Sequence, residues 1–367
     1  MGVLTHPLLA PAAGAALKAE AGSQTVAANA NGANRSRISL RRLLSIYLVL
    51  PLCGLVYALD VLVFGEALLR TLPKTPRSYF LLSILFGTPH IVASNLIFVT
   101  NREYFRLYRR RALVATLAII AFFGVGSLIF SRSVLFVIVS TATITHVVKQ
   151  QIGIGNMVGR LSSLCFHLWS WSIIAASVIL YSAILFPGEL STQARSLMDW
   201  ALICFSFLIV GLAFLNQPRV ASATGRQFLW CNTAMALASF FFYSQGYIFF
   251  AVIGPRLIHD GTAFVFYVVH DRNRHTPTPQ NWLYRRLQPL RIGPVIAVPA
   301  IAIALTLMMQ RYADDSVIRL AQGLFDVQLR RPVSFVFIGY LSMMHYYMEA
   351  FTWKTASPYR RYIATSA

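Results

Sequence analysis

Charge is scarce in this chain. Asp, Glu, Lys and Arg make up 12% of its 367 residues, about half the share carried by a soluble globular domain. So few charges cannot cover a surface that faces water on all sides, which excludes a soluble enzyme, a coiled coil and a disordered chain. Acidic residues are scarcest, with 12 Asp and Glu against 32 Lys and Arg. Cysteine is also rare: Cys53, Cys165, Cys204 and Cys231 all lie inside apolar segments, with no CxxC pair. That excludes a disulfide framework and a thiolate metal site. A net charge of +20 would suggest nucleic acid in a soluble protein, but no basic helix or aromatic RNA-binding box accompanies it. Nucleic acid is not an expected partner.

Apolar sequence is abundant. Hydrophobic residues make up 57% of the chain and recur as long runs from residue 43 to residue 354. A crossing takes ~20 apolar residues. Ten segments qualify, near 43–66, 79–100, 112–131, 133–156, 163–186, 199–215, 229–247, 248–270, 293–311 and 332–354. The pattern predicts an all-α, polytopic membrane bundle over residues 35–356. A disordered cytoplasmic tail (1–34) is expected before it and a short basic tail (357–367) after it. The seventh and eighth segments form one run, interrupted by Gly246 and by Gly254-Pro255, so one helix is at stake there. The outer segment 312–331 has Val317, Leu320, Leu324 and Val327 at helical spacing, which predicts an amphipathic helix lying on the membrane.

Loop charge sets the orientation. With the N-terminus inside, the inner segments collect Arg35, Arg37, Arg41, Arg42, Arg102, Arg106 and the run Arg109, Arg110 and Arg111. Arg160, Arg219, Arg226, Arg272, Arg274, Arg285, Arg286, Arg291, Lys354, Arg360 and Arg361 follow. The outer segments hold only Arg70, Lys74, Arg77, Arg132, Arg195, Arg311, Arg319, Arg330 and Arg331, diluted by Glu189, Asp314, Asp315 and Asp326. Cytoplasmic loops carry the excess of Lys and Arg, so both termini are expected inside, against anionic lipid.

Ionisable side chains at bilayer depth are costly and face the protein interior, which makes each a functional candidate. Four histidines stand out: His90, His146, His259 and His345, on the second, fourth, eighth and tenth segments. His90 and His259 lie 11 residues from the outer ends of their spans, and His146 and His345 lie 13. At 1.5 Å per residue these depths are roughly 17–20 Å, within one helical turn of a common plane. Imidazole is the commonest protein metal ligand, and bundles build metal sites from residues projecting inward on facing helices. A lone membrane histidine more often bonds helix to helix; four at one depth favour a shared metal or heme site.

Other polar residues accompany them. Glu349 follows His345 by four residues, on one helix face. Asp260 points about 100° away from His259 and can orient a neighbouring ligand. Lys149 and Gln150 follow His146 at i+3 and i+4. Lys149 either reaches an anion in the site or snorkels to the inner interface, as is favoured for Lys354. Arg256 is expected to pair with Asp260 or to meet an acidic substrate. His270, beside Asp271, is three turns beyond His259. Asp60 and Glu66 read as interfacial, and His167 and His275 as structural or solvated. Gly87-Thr88-Pro89 and Gly254-Pro255 precede two of the histidines and predict helix breaks lining a polar cavity.

PHIVAS, HVVKQQIGIG and HYYMEAFTWK, in that order on separate spans, resemble segments of uncharacterised bacterial polytopic proteins. Those proteins carry an early membrane His, an HxxxQ-type segment and a terminal HYxx[D/E]xxxW[K/R] segment. The likeness covers most of residues 79–354 and implies a bacterial inner membrane. More distantly, one histidine on each of several spans is similar to the Brp/Blh carotenoid-cleaving oxygenases, whose iron is held by membrane histidines. The HxxxH and HxxHH boxes of membrane desaturases are missing, which argues against a diiron site of that kind.

The leading expectation is a membrane metalloenzyme, iron-dependent, acting on a lipophilic substrate such as a lipid or isoprenoid. His90, His146, His259 and His345 would ligate the metal, with Glu349, Lys149 and Asp260 as catalytic groups. An all-histidine sphere also suits zinc or copper. The alternatives are a b-type heme protein, a proton-coupled transporter and a purely structural membrane protein.

Overall fold

Serines at the edges of the apolar runs start several of the helices. In the computed structural model, which describes residues 35–74, 87–276, 278–325, 333–354 and 357–366, 13 α-helices and two three-residue strands account for nearly all regular structure. Strand β1 (Arg37–Ser39) leads into α1 (Leu40–Ser45) and, through one 3-10 turn, α2 (Val49–Leu62); α3 (Ala67–Thr71) is a short outlier. There follow α4 (Thr88–Thr100), α5 (Arg102–Ile129), α6 (Arg132–Gly159), α7 (Leu164–Leu185), α8 (Thr192–Asn216), α9 (Ala223–Ser244) and α10 (Ile248–His275). The chain ends with α11 (Trp282–Leu287), α12 (Pro294–Phe325), α13 (Val333–Thr352) and strand β2 (Ala364–Ser366). Ser131, Ser163, Ser191 and Ser222 each accept a backbone N–H of the first turn of α6, α7, α8 and α9, satisfying donors that a helix start leaves free.

Among the described residues, five helices are long and apolar enough to cross a membrane: Leu40–Leu62, Leu164–Leu185, Thr192–Arg219, Ile248–His275 and Pro294–Tyr312. Their outward faces are apolar, as at Phe207, Leu208, Phe214 and Leu215 of α8. The chain is an all-α integral membrane protein.

Helix α10 is the axis of the fold. Of its most apolar window 61% is buried, against 17–44% in the other four. It packs on α2, α4, α6, α9 and α12. Ala251, Val252 and Ile253 near its N-terminal end join an apolar core built mainly from α6–α9. Ile258, Ala263, Phe266 and Tyr267 join a second core with α4, α5, α12 and α13.

Three expectations change. The run 229–270 is divided only at Gly246, where φ is +78°, a conformation open to glycine. Pro255 lies inside a continuous α10; its missing N–H leaves one carbonyl unpaired without ending the helix. Segment 312–331 is not a separate surface helix, because α12 continues unbroken to Phe325; residues 326–331, including Val327, lie outside the described residues. Nor is the C-terminal segment a free tail: Ser357 and Tyr359 are buried, and β2 pairs in parallel with β1 in the register Arg37↔Ala364, Ile38↔Thr365, Ser39↔Ser366. The predicted tail 1–34 and the outer part of the second span (79–86) lie outside the described residues.

Small residues set the α6–α9 crossing. A Cβ on Gly225 would meet the Gly159 Cα at 2.9 Å and its nitrogen at 3.1 Å, which is backbone and cannot step aside. Gly225→Leu is therefore expected to prise these helices apart at a cost of about 1–3 kcal/mol, seen as a lower thermal midpoint in detergent. An unchanged midpoint would refute the close approach.

Candidate metal centre

Four helices present one histidine each to the same point. His90 comes from α4, His146 from α6, His259 from α10 and His345 from α13. Neighbouring rings form a closed circuit, with centroid separations of 4.9 Å for His90–His259, 5.5 Å for His259–His146, 4.8 Å for His146–His345 and 5.0 Å for His345–His90. His90, His259 and His345 are buried, and the His146 side chain is 10% exposed.

Two carboxylates flank the circuit. Glu349 Oε2 is 3.4 Å from His146 Nε2, and Oε1 is 3.9 Å from His345 Nδ1. Glu349 is held from both sides: Gln150 Nε2 donates to Oε2 at 3.0 Å, and the Tyr267 hydroxyl donates to Oε1 at 2.5 Å. Asp260 Oδ1 lies 2.9 Å from His90 Nδ1 and 4.0 Å from His259 Nε2, while Oδ2 is 3.6 Å from Arg256 Nε. The Asp260–His90 approach is a close polar contact between a carboxylate oxygen and a ring nitrogen. Tyr346 stacks on His146 with ring centroids 4.5 Å apart and bonds Thr143 through its hydroxyl, which fixes that imidazole in place.

The decisive feature is what these nitrogens lack. Both ring nitrogens of His90, His259 and His345, and Nε2 of His146, have no hydrogen-bond partner among the described residues, although all are shut off from solvent. Buried polar groups are paired in the great majority of cases, and an unpaired one costs about 1–3 kcal/mol. Seven such atoms on four adjoining rings make this cluster a candidate ligand site. One atom each from His90, His259 and His345 lies within 4.8 Å of the others, and the same holds for His146, His345 and Glu349. These two groups share His345.

No family model, curated protein or solved structure matches the chain. The site rests on its geometry.

The remaining candidates stand apart. Lys149 is exposed, its Nζ 4.6 Å from the centroid of the Trp171 ring, so it does not enter the cluster; at i+3 from His146 it turns away, while Gln150 at i+4 turns inward. Asp60 is fully buried. It caps α3 by accepting Leu68 N and Leu69 N and takes the Tyr247 hydroxyl at 2.8 Å. His167 is exposed.

His270 belongs to a second buried polar assembly, near the C-terminal end of α10. Tyr104 meets its Nε2 at 2.7 Å and Asp271 its Nδ1 at 2.8 Å, and Tyr359 stacks on it at 4.1 Å. The Tyr284 hydroxyl donates to Asp271 at 2.7 Å. Burial and the adjacent Asp271 push its pKa well above the ordinary phenol value, so it stays a donor. His275 is paired with Gln280 N and Asn281. Every ring nitrogen here has a partner, which identifies a structural network.

Tyr267 and Tyr346 were not flagged by the sequence pattern. Tyr267 follows Asp260 by seven residues, two turns along the same face of α10, and that spacing was a usable signal. Tyr346 had none.

Proposed function

We propose that this protein is a membrane-embedded metalloenzyme, an iron-dependent oxygenase of a lipophilic substrate, with one ion held by His90, His146, His259 and His345. The observation that carries this reading is the set of buried, unpartnered imidazole nitrogens. Four nitrogens about 2.1 Å from one ion put the ring centroids of neighbouring ligands about 4.6–5.3 Å apart, for square to tetrahedral arrangements. The circuit of 4.8–5.5 Å fits such an ion with little movement. Imidazole suits iron, zinc and copper, and the likeness to iron-dependent membrane oxygenases favours iron. When bound, the ion would supply a Lewis-acidic centre able to activate O2 or water.

The chain's own groups prepare that centre. Gln150 and Tyr267 fix Glu349 as an additional ligand or acid–base group beside His146 and His345. Asp260 steadies His90, as carboxylates steady metal-bound imidazoles. A heme would need a macrocycle between rings that already contact one another, so the geometry favours a bare ion. A proton-coupled transporter remains the second reading, supported by Arg256, Asp260 and Glu349 at bilayer depth.

We further infer ten crossings with both termini in the cytoplasm of a bacterial inner membrane. Parallel pairing of β1 with β2 puts the two ends of the bundle on one face, as an even number of crossings requires. Ser36 N donates to Asn273 Oδ1 at 2.8 Å, and the Asn273 amide donates to the carbonyls of Ser36 and Tyr362, so the end of α10 lies on that face too.

Metal analysis and a visible spectrum of the purified protein test the reading together. The expected result is about one iron per chain with no Soret band. A Soret band would assign heme, and a protein free of transition metal after expression in iron-replete medium would overturn the enzyme proposal.

A further inference from the structure

One charged side chain beside the cluster is left over. Arg256 lies on α10 one turn before Asp260, about 12 Å along the helix from its outer end. Its side chain is 41% exposed, whereas that of Asp260 is 1% exposed. Its Nε is 3.6 Å from Asp260 Oδ2, well beyond the 2.7–2.9 Å expected of a charge-assisted hydrogen bond. No hydrogen bond to either terminal nitrogen exists among the described residues. Nor is this an arginine swinging freely toward the interface: a Cβ on Gly87 would overlap its guanidinium, closest at Nη2, so the group is pressed against Gly87. Tyr181, Tyr346 and His259 are within electrostatic reach of it.

Charge counting gives the guanidinium a task. Neutral histidines contribute nothing. A divalent ion and Arg256 bring three positive charges, against one each from Asp260 and Glu349. One positive charge is left over in a low-dielectric site, where it is costly unless paired. Lys149 adds no anion, and the other carboxylates near the inner ends of the helices, Asp271 and Glu103, are engaged by Tyr284 and Arg274.

We propose that Arg256 is the receptor for the anionic end of an amphiphilic substrate, a carboxylate or a phosphate, whose apolar chain lies across the histidine circuit. An arginine fork with both terminal nitrogens unengaged suits either anion in a bidentate pair, and Gly87 leaves the guanidinium room to lie beside the cluster. This substrate class rests on the ion reading above, since the unmatched charge is partly the ion's.

The test uses the full chain purified in neutral detergent. Binding of oleate, 1-oleoyl-lysophosphatidate and uncharged methyl oleate is followed by native mass spectrometry, with metal content measured on the same samples. Wild type is expected to hold oleate or the lysophosphatidate at least about tenfold more tightly than methyl oleate; whichever anion binds better names the source. Arg256→Gln is expected to erase that preference while keeping its metal. Arg256→Lys, which preserves charge and loses the fork, is expected to retain only part of it and guards against a folding defect in the first variant. Equal binding of charged and uncharged probes by wild type, or an undiminished preference in Arg256→Gln, overturns the proposal. Metal-free wild type that still shows an Arg256-dependent preference overturns the ion reading and leaves an anion receptor standing.

Discussion

If the four histidines hold an ion as proposed, His345→Ala is expected to strip it, leaving less than about a tenth of the wild-type metal content after purification. His345 belongs to both groups that can chelate, and its ring contacts His90 at 5.0 Å and His146 at 4.8 Å. Removing it leaves no complete triad of the two, whereas loss of an outlying residue would leave the other intact. The ring is fully buried, so the truncation also opens a void. His345→Gln, closer in volume, separates the two effects and is expected to lose metal to a similar degree while keeping the wild-type elution profile. His167→Ala, at an exposed position on α7, is expected to retain all of it. Metal analysis decides the matter, and full retention in both His345 variants would dismantle the site.

Asp271→Ala is expected to produce the largest loss of stability with the site untouched. Its two oxygens serve His270 Nδ1 and the Tyr284 hydroxyl, and both partners are buried. Each would lose its partner at about 1–3 kcal/mol, so the sum is about 2–6 kcal/mol, a large part of an ordinary folding stability of about 5–15 kcal/mol. The thermal midpoint in detergent should fall by many degrees, and metal content per folded molecule should not change. Asp271→Asn keeps an acceptor for Tyr284 and should lose less. Metal lost in proportion to fold stability would mean that the two polar assemblies are one functional unit.

The contrast between an unpaired and a fully paired buried histidine is sharpest on α10. His259 and His270 occupy that helix three turns apart. The difference in pairing lies in partners contributed by distant segments: Tyr104 and Tyr359 reach His270, and among the described residues no hydrogen-bond partner is in place for the nitrogens of His259. Depth along a helix can be counted from sequence, and it singled out His90, His146, His259 and His345 as a set. Rotation about the helix axis is harder to count. Lys149 and Gln150 differ by one position, both were compatible with the face of His146, and packing of α6 against α7 and α13 gave Gln150 the inner place.

Helix extent was legible only in part, for a related reason. The described parts of the apolar segments are helical, yet α5 begins at Arg102, well before the apolar run at 112, and α12 runs on to Phe325, beyond the one ending at 311. Hydropathy reports where hydrocarbon contact ends. Backbone hydrogen bonding has no need to stop there, and Arg-rich turns continue a helix into the aqueous layer at little cost. The division at Gly246 was visible as a glycine; that Pro255 would be absorbed within α10 was not, because tolerance of a proline depends on the neighbours that support the helix.

The strand pair at the inner face has a consequence for how the molecule is made. Residues 37–39 precede every described helix, and their partners, 364–366, follow the last described one. The first strand must therefore wait unpaired while the helices between the two are made, and the pair closes only once residues 364–366 have been translated. A chain stalled or cut between the last described helix and residue 364 would hold those helices with the clasp undone, so this small parallel pair reports that the segments flanking the bundle have met.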